Sequence, residues 1–267
     1  MADRAGTSRR LLVFRGGGFV VQRRRWAALV AFTALLLAWE IEIRLRWISP
    51  IFLPPPSSVL AALYDLVERG TLWIHLRQSL ARIVVGWTLG TITGLAVGFA
   101  IGIWSLARAI GLPVVSALFP IPKIALLPLF ILWFGIGESS KIVTIALGVF
   151  FPTVIATYNG VDGVARNLIR MGQSFNLPWA AIVLKIVMPG ALPGILAGLR
   201  ISASIALLLL VSAEMIGAQY GIGAFILAAG NLMQTDQLLA GVVILSILGL
   251  LVASGLGYLE RRLLRWR

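Results

Sequence analysis

Few residues in this chain have the means to do chemistry. His75 is the only histidine and cysteine is absent, which excludes a His-pair metal site, an H-E-x-x-H motif, a thiolate nucleophile and a disulfide. A Ser–His hydrolase would need a serine set against His75, and no motif places one there. His75 stands beside Trp73 in a polar stretch and reads as an interfacial side chain. No catalytic residue, metal site or cofactor site is expected. What remains are ionisable groups inside apolar sequence: Arg82, Lys123, Arg200 and Glu214, with Ser202 and Ser204 close to Arg200. Charge at membrane depth is costly and faces a bundle interior. Two uses are open. The charges pair internally, Glu214 with a basic neighbour for example, and hold helices together. Alternatively Lys123 or Arg200 presents positive potential to a passing anion, with Ser202, Glu214, Phe130, Trp133 and Phe134 along the same path. The rings serve equally well as lipid contacts or core packing. Binding on such a path has to be weak enough to reverse in each cycle.

Composition says where these groups sit. Hydrophobic residues make up 59% and charged residues 12%, with a mean hydropathy of +0.96, which marks an integral membrane protein. The net charge of +13 comes from arginines concentrated at the two ends, as the positive-inside bias demands. Basic and aromatic residues do not interleave outside the termini, so nucleic acid is not an expected partner.

The pattern predicts an all-α bundle of about six spans. Residues 1–25 form a basic cytoplasmic tail, with Arg23, Arg24 and Arg25 directly before Trp26. Ser8-Arg9-Arg10-Leu11-Leu12 faintly resembles a twin-arginine export signal, but without a small-residue cleavage site it reads as uncleaved. Residues 26–267 form one transmembrane domain. Trp26–Ile43 is the first span. Arg44–Gln78 lies outside and holds Pro54-Pro55-Pro56 and a surface helix over Ser57–Arg69. Leu80–Trp104 is the second span. Its Gly86, Gly90, Gly94, Gly98 and Gly102 recur every fourth residue and leave a groove where another helix can approach. After a turn near Arg108, Leu112–Ile136 contains Pro113, Pro120, Pro122 and Pro128 and must be kinked or unwound, its freed carbonyls needing neighbours or water. Lys141–Tyr158 returns inward, Ile186–Val211 is the fifth span, Ala213–Gln237 is an outer segment with Gly221-Ile222-Gly223, and Leu238–Tyr258 is the last span before a basic tail. Both termini fall on the cytoplasmic side.

Between the fourth and fifth spans the chain turns polar, in Asp162–Gly194. Arg166, Arg170 and Lys185 face one acid, Asp162. Val164, Leu168, Met171 and Phe175 fall at helical spacing and make a one-sided stripe. Asn176 tolerates the left-handed conformation that ends a helix, and Pro178 opens the next. The prediction is a short amphipathic helix, a sharp turn and a helix running back into apolar sequence. Its apolar face suits either the lipid interface or a groove on a partner protein.

This stretch resembles the cytoplasmic "EAA" loop of permease subunits in binding-protein-dependent ABC importers. Aligned on Pro189, the EAA positions fall on Arg170, Met171 and Gly172, the turn glycine on Asn176 and the Leu-Pro pair on Met188-Pro189. A base thus stands where the family has an acid, and asparagine where it has glycine. IFLPPPSSVLAAL, SLARIVVGW, PIPKIALLPLFILWFGIGESSKI, GVFFPTVIATYNGV, AGLRIS and SAEMIGAQYGIG are similar, in that order, to the nitrate/sulfonate/taurine branch. The resemblance implies a type I ABC importer permease fold in a bacterial inner membrane. Implied partners are a second copy of the permease, two ATPase subunits that bind ATP and magnesium, a soluble substrate-binding protein outside, and lipid. Residues 162–186 would be the coupling loop, with Val164, Arg166, Leu168, Arg170, Met171, Gly172, Phe175, Asn176 and Trp179 toward the ATPase. The implied cargo is a small anion such as a sulfonate, taurine, nitrate or bicarbonate. Two rivals are an ion-coupled secondary transporter or channel, which calls for an inverted repeat and pathway carboxylates, and a structural membrane-assembly subunit, which has no use for a proline-broken span.

Overall fold

The computed structural model describes residues 25–266. The predicted tail before Arg25, with the twin-arginine reading, lies outside them. The described residues form eleven α-helices: α1 (Arg25–Arg44), α2 (Pro56–Glu68), α3 (Thr71–Ile103), α4 (Ser105–Leu118), α5 (Leu127–Phe134), α6 (Glu138–Asp162), α7 (Arg166–Ser174), α8 (Trp179–Ile182), α9 (Met188–Gly217), α10 (Ile222–Asn231) and α11 (Thr235–Leu263). A 3-10 turn over Lys123–Leu126 precedes α5, and a π turn over Val183–Val187 joins α8 to α9 in one 39-residue helical run. Among the described residues, four helical stretches are long and apolar enough to cross a bilayer: α3, α6, α8–α9 and α11. The bent pair of α4 with the Lys123–Phe134 segment makes a fifth if it counts as one span. α1 has the roughly 20 residues that a bilayer core requires, but it meets the bundle chiefly at α2, where Glu40 accepts from the Ser57 amide and hydroxyl.

The glycine stripe determines the centre of the bundle. α3 and α6 run parallel and in register, so that a Cβ added to Gly86, Gly90, Gly94, Gly98 or Gly102 would stand 2.8, 2.8, 2.8, 2.6 or 2.8 Å from the Cβ of Ile145, Val149, Thr153, Thr157 or Val161. Between lipid-soluble helices there is little hydrophobic gain from association, so backbone proximity and dispersion do the work. The hydroxyls of Thr144, Thr153 and Thr157 donate to carbonyls four residues back and need no water in this seam. α9 crosses α6 antiparallel on its other side, with Gly198 against Ala156 and Gly160 against the Ala191 carbonyl.

The proline-rich span is broken as predicted, its two halves meeting at 85°. Pro122 cannot supply the amide that the Leu118 carbonyl would otherwise receive. Lys123 fills the gap: its Nζ donates to the carbonyls of Leu118, Phe119 and Ile121 at 2.9, 2.8 and 2.7 Å.

Several predicted boundaries move. The second span starts at Thr71, not Leu80, so the end of the supposed outer loop Arg44–Gln78 is helix. The polar His75 and Gln78 gave that end of the stretch an exterior reading; both are half-buried within α3. The turn predicted near Arg108 falls at Trp104, and Arg108 lies within α4. α6 continues through Asp162 because that carboxylate has a partner in Arg108, so the polar loop starts later than 162. The outer segment Ala213–Gln237 is mostly helical: α9 extends to Gly217, α10 follows, and α11 begins at Thr235.

Candidate functional site

At one end of the bundle stands the short amphipathic helix α7. It ends in a Schellman motif: the Leu177 amide donates to the Gly172 carbonyl at 3.1 Å and the Asn176 amide to the Gln173 carbonyl at 2.9 Å, with Asn176 left-handed at φ +55°. Pro178 then caps α8 from an extended conformation. Gly172 is buried, and a Cβ there would come within 2.9 Å of Ile186, so α7 lies directly on the helical run leading into α9. Leu168, Met171, Phe175 and Trp179 are exposed, Phe175 at 74%. Arg166 and Arg170 are exposed beside them. Val164 departs from the predicted stripe. It precedes α7, is only 6% exposed, and packs with Val161, Ile182, Val187, Ala191 and Ile195 as part of the core.

Two contacts tie this foot and its surroundings together. The Trp104 and Trp179 rings stack at 6.4 Å, joining the α3–α4 corner to α8. Arg108 on α4 meets Asp162 at the end of α6 at 2.6 Å and lies over the Tyr158 ring. A cavity of about 300 Å³ separates foot from bundle, lined by Arg108, Asp162, Arg166, Gln173 and Trp179 among others.

At the opposite end, Arg82 is the hub of a buried ion cluster. Its Nε and Nη2 donate to both carboxylate oxygens of Glu138 at 2.6 and 2.7 Å, and its Nη1 donates to Glu214 at 2.7 Å and to the Tyr220 carbonyl at 2.6 Å. Glu214 also accepts from the Ser79 hydroxyl and from the Gly223 amide at 2.8 Å. Ser79 in turn accepts from the Ile222 amide. Three helices, α3, α6 and α9, and the turn before α10 therefore meet on one guanidinium, whose planar fork suits two carboxylates, and α10 joins the cluster through its Ile222 and Gly223 amides. Gly221, at φ +140°, passes so close that a Cβ would stand 2.4 Å from the Glu214 carboxyl carbon. Only glycine fits both the conformation and the space. His75 packs beside this turn, its Nδ1 3.0 Å from the Gly221 carbonyl.

The seven path candidates do not converge. Glu214 belongs to the end cluster. Arg200 pairs with Glu260 on α11. Ser202 is fully buried and accepts from the Trp87 indole at 3.1 Å. Phe130 is buried, while Trp133 and Phe134 are exposed. Lys123 stays half-buried at the break between α4 and α5. Near it, α6 and α9 enclose a mostly apolar groove of about 440 Å³ between Pro152, Ile155, Asn159, Gly194 and Ile201, with Phe119 at its edge. Sequence reasoning missed Glu138 and Ser79 and gave Gly221-Ile222-Gly223 no role. The Gly-Ile-Gly run seven residues after Glu214 was the available signal, since paired glycines beside an acid fit amides turned toward a carboxylate.

Residues 86–265 match the family described as binding-protein-dependent transport system inner membrane component. The chain is 40% identical over 237 residues to the taurine transport system permease protein TauC of Escherichia coli K12, covering 87% of this chain and 86% of that one. It is 37% identical over 247 residues to the putative aliphatic sulfonates transport permease protein SsuC of Bacillus subtilis 168, covering 92% and 90%. A chain of the MetNI methionine ABC transporter, solved in an inward-facing conformation, superposes with a TM-score of 0.62 at 23% identity, covering 73% of this chain and 98% of that one. That likeness concerns the fold.

Proposed function

We propose, for a chain that belongs to the family of binding-protein-dependent transport system inner membrane components, that it is the permease through which a small sulfonate such as taurine enters the cell. The substrate class follows the names of the relatives above. The single observation that carries the mechanism is α7 and the turn that ends it, with exposed Leu168, Met171 and Phe175 flanked by Arg166 and Arg170. Such a face fits a groove on a partner, and here that partner is the ATPase subunit, which holds ATP and magnesium. The permease itself binds no cofactor and catalyses no hydrolysis.

Force applied at the foot has defined routes into the bundle. Val164, Gly172 and the Asn176 turn fix α7 to the start of α9, while the Trp104–Trp179 stack reaches α3 and α4. At the far end the Arg82 cluster makes α3, α6, α9 and α10 move as one body, and the 85° break supplies a bend. Rocking between two arrangements then exposes the path to one side or the other. A second permease copy completes the path across the groove between α6 and α9. A soluble binding protein docks beside Arg82, the two chain ends lie in the cytoplasm, and the exposed apolar faces of α1, α3 and α11 meet lipid.

The test is co-purification followed by reconstitution. The chain expressed with its ATPase and binding protein yields a stable complex whose proteoliposomes take up taurine or ethanesulfonate only with ATP. ATP-independent flux through the purified chain alone would refute the proposal in favour of a secondary transporter or channel.

A further inference from the structure

The cations inside the spans are not equivalent. Among the described residues, Arg82, Arg108 and Arg200 each meet a carboxylate, while Lys141, one turn after Glu138, donates to the Ile136 and Gly137 carbonyls. Lys123 too has only neutral partners among the described residues, the carbonyls of Leu118, Phe119 and Ile121, the Phe151 ring at 4.5 Å and the Phe119 ring at 5.8 Å, and unlike Lys141 it has no acid within a helical turn of it in sequence. Those dipoles satisfy its three N–H groups and leave its charge uncompensated. Phe151 stands halfway along α6, so this charge sits at mid-bundle, where an ionisable group is most costly. It also sits at the break of a discontinuous span, against the Phe119 and Phe151 rings; Phe119 and Pro152, the residue after Phe151, both line the α6–α9 groove.

A helix cap alone does not account for a lysine here. Carbonyls freed by Pro122 are satisfied as well by water or by a neutral amide, neither of which brings a full charge into the membrane. We infer that Lys123 is the specificity residue of the permeation path, its ammonium meeting an oxygen of the passing anionic group while the α4 carbonyls hold it between cycles. The inference rests on the permease reading above and assigns the charge recognition of that path to one side chain. Weak neutral acceptors suit the purpose, because an ammonium already locked to a carboxylate would have to break an ion pair to serve each anion.

The experiment compares Lys123→Arg and Lys123→Gln in the complete transporter, with ATP-driven uptake of ethanesulfonate into proteoliposomes as readout. Thermal unfolding midpoint and assembly with the ATPase serve as controls for folding. Glutamine can still donate to the α4 carbonyls but carries no charge. We expect Lys123→Gln to lower uptake about tenfold, the effect of losing one charge-assisted hydrogen bond, with both controls unmoved, and Lys123→Arg to restore uptake to within about twofold. Uptake by Lys123→Gln at the wild-type rate would overturn the inference. So would a loss of uptake matched by loss of thermal stability and assembly, since that identifies a cap. A wild-type complex that imports no sulfonate would overturn the permease substrate reading first, and this inference with it.

Discussion

Arg82 and Glu214 are hydrogen-bonded at 2.7 Å with both side chains withdrawn from solvent, while the second carboxylate on the same guanidinium, Glu138, is 54% exposed. One arginine thus holds a buried and a half-open ion pair together, and the two arms differ in what their loss does.

Arg82→Met leaves Glu214 as an unpaired charge among Ser79 and the Gly223 amide, and removing one partner of a buried pair costs about 3–5 kcal/mol. Glu138→Gln leaves a half-exposed site that water can serve, and costs less than about 1 kcal/mol. Thermal unfolding in detergent orders the two. Exchanging the charges in the double variant Arg82→Glu, Glu214→Arg gives no rescue, because Glu138 then faces a second acid. Full recovery in that variant would show that Glu138 does not share the site.

The stripe on α3 makes a second, sharper test. At Gly98 a Cβ would stand 2.6 Å from the Thr157 Cβ and 2.8 Å from the Val154 carbonyl, and at Gly94 2.8 Å from the Thr153 Cβ. Backbone cannot yield cheaply, so Gly98→Ala and Gly94→Ala each destabilise by about 1–3 kcal/mol. Gly255→Ala on α11, with open space around it, leaves the unfolding midpoint unchanged. Equal effects at all three positions would contradict the close approach of α3 and α6.

Both cases mark what could be read without coordinates. The every-fourth glycines, the proline break and the Asn176 turn were legible because each is a local rule: a missing Cβ, a missing amide, a tolerated left-handed residue. The ion cluster was not, since Ser79, Arg82, Glu138 and Glu214 come from three separate spans and share no local pattern. For the same reason Arg108 and Asp162 were placed in loops, when each extends a helix by neutralising the other. Val164 fits the amphipathic spacing of α7 but precedes the helix, and its burial comes from α9 across the turn.

Asn176 offers a third prediction. Its φ of +55° disfavours a side chain with a Cβ but is open to glycine, and asparagine is the usual second choice. Asn176→Gly therefore leaves stability within a few tenths of a kcal/mol of wild type, whereas Asn176→Ala costs about 1 kcal/mol. Because the turn sets the angle between α7 and α8, Asn176→Val also lowers the coupling of ATP hydrolysis to uptake. An unchanged coupling ratio in that variant would mean that the turn does not direct the foot.

The last prediction separates the two faces of the foot. Phe175, which follows directly on α7, is the most exposed apolar side chain of the foot, and Val164 is one of its best-buried neighbours. If α7 docks into the ATPase, Phe175 is an anchor, and anchors in interfaces are worth about 2 kcal/mol or more on truncation. Phe175→Ala should weaken association of the ATPase subunit by more than about tenfold, read by titrating ATPase onto the permease in nanodiscs, and should leave the permease's own thermal midpoint in place. Val164→Ala should do the reverse. It removes two buried methyl groups that press on Gly190, lowers stability by roughly 1–2 kcal/mol, and changes ATPase affinity only as far as the foot itself loosens. The crossing of effects is the discriminating result, since a foot lying on lipid would show no loss of ATPase affinity from Phe175→Ala at all.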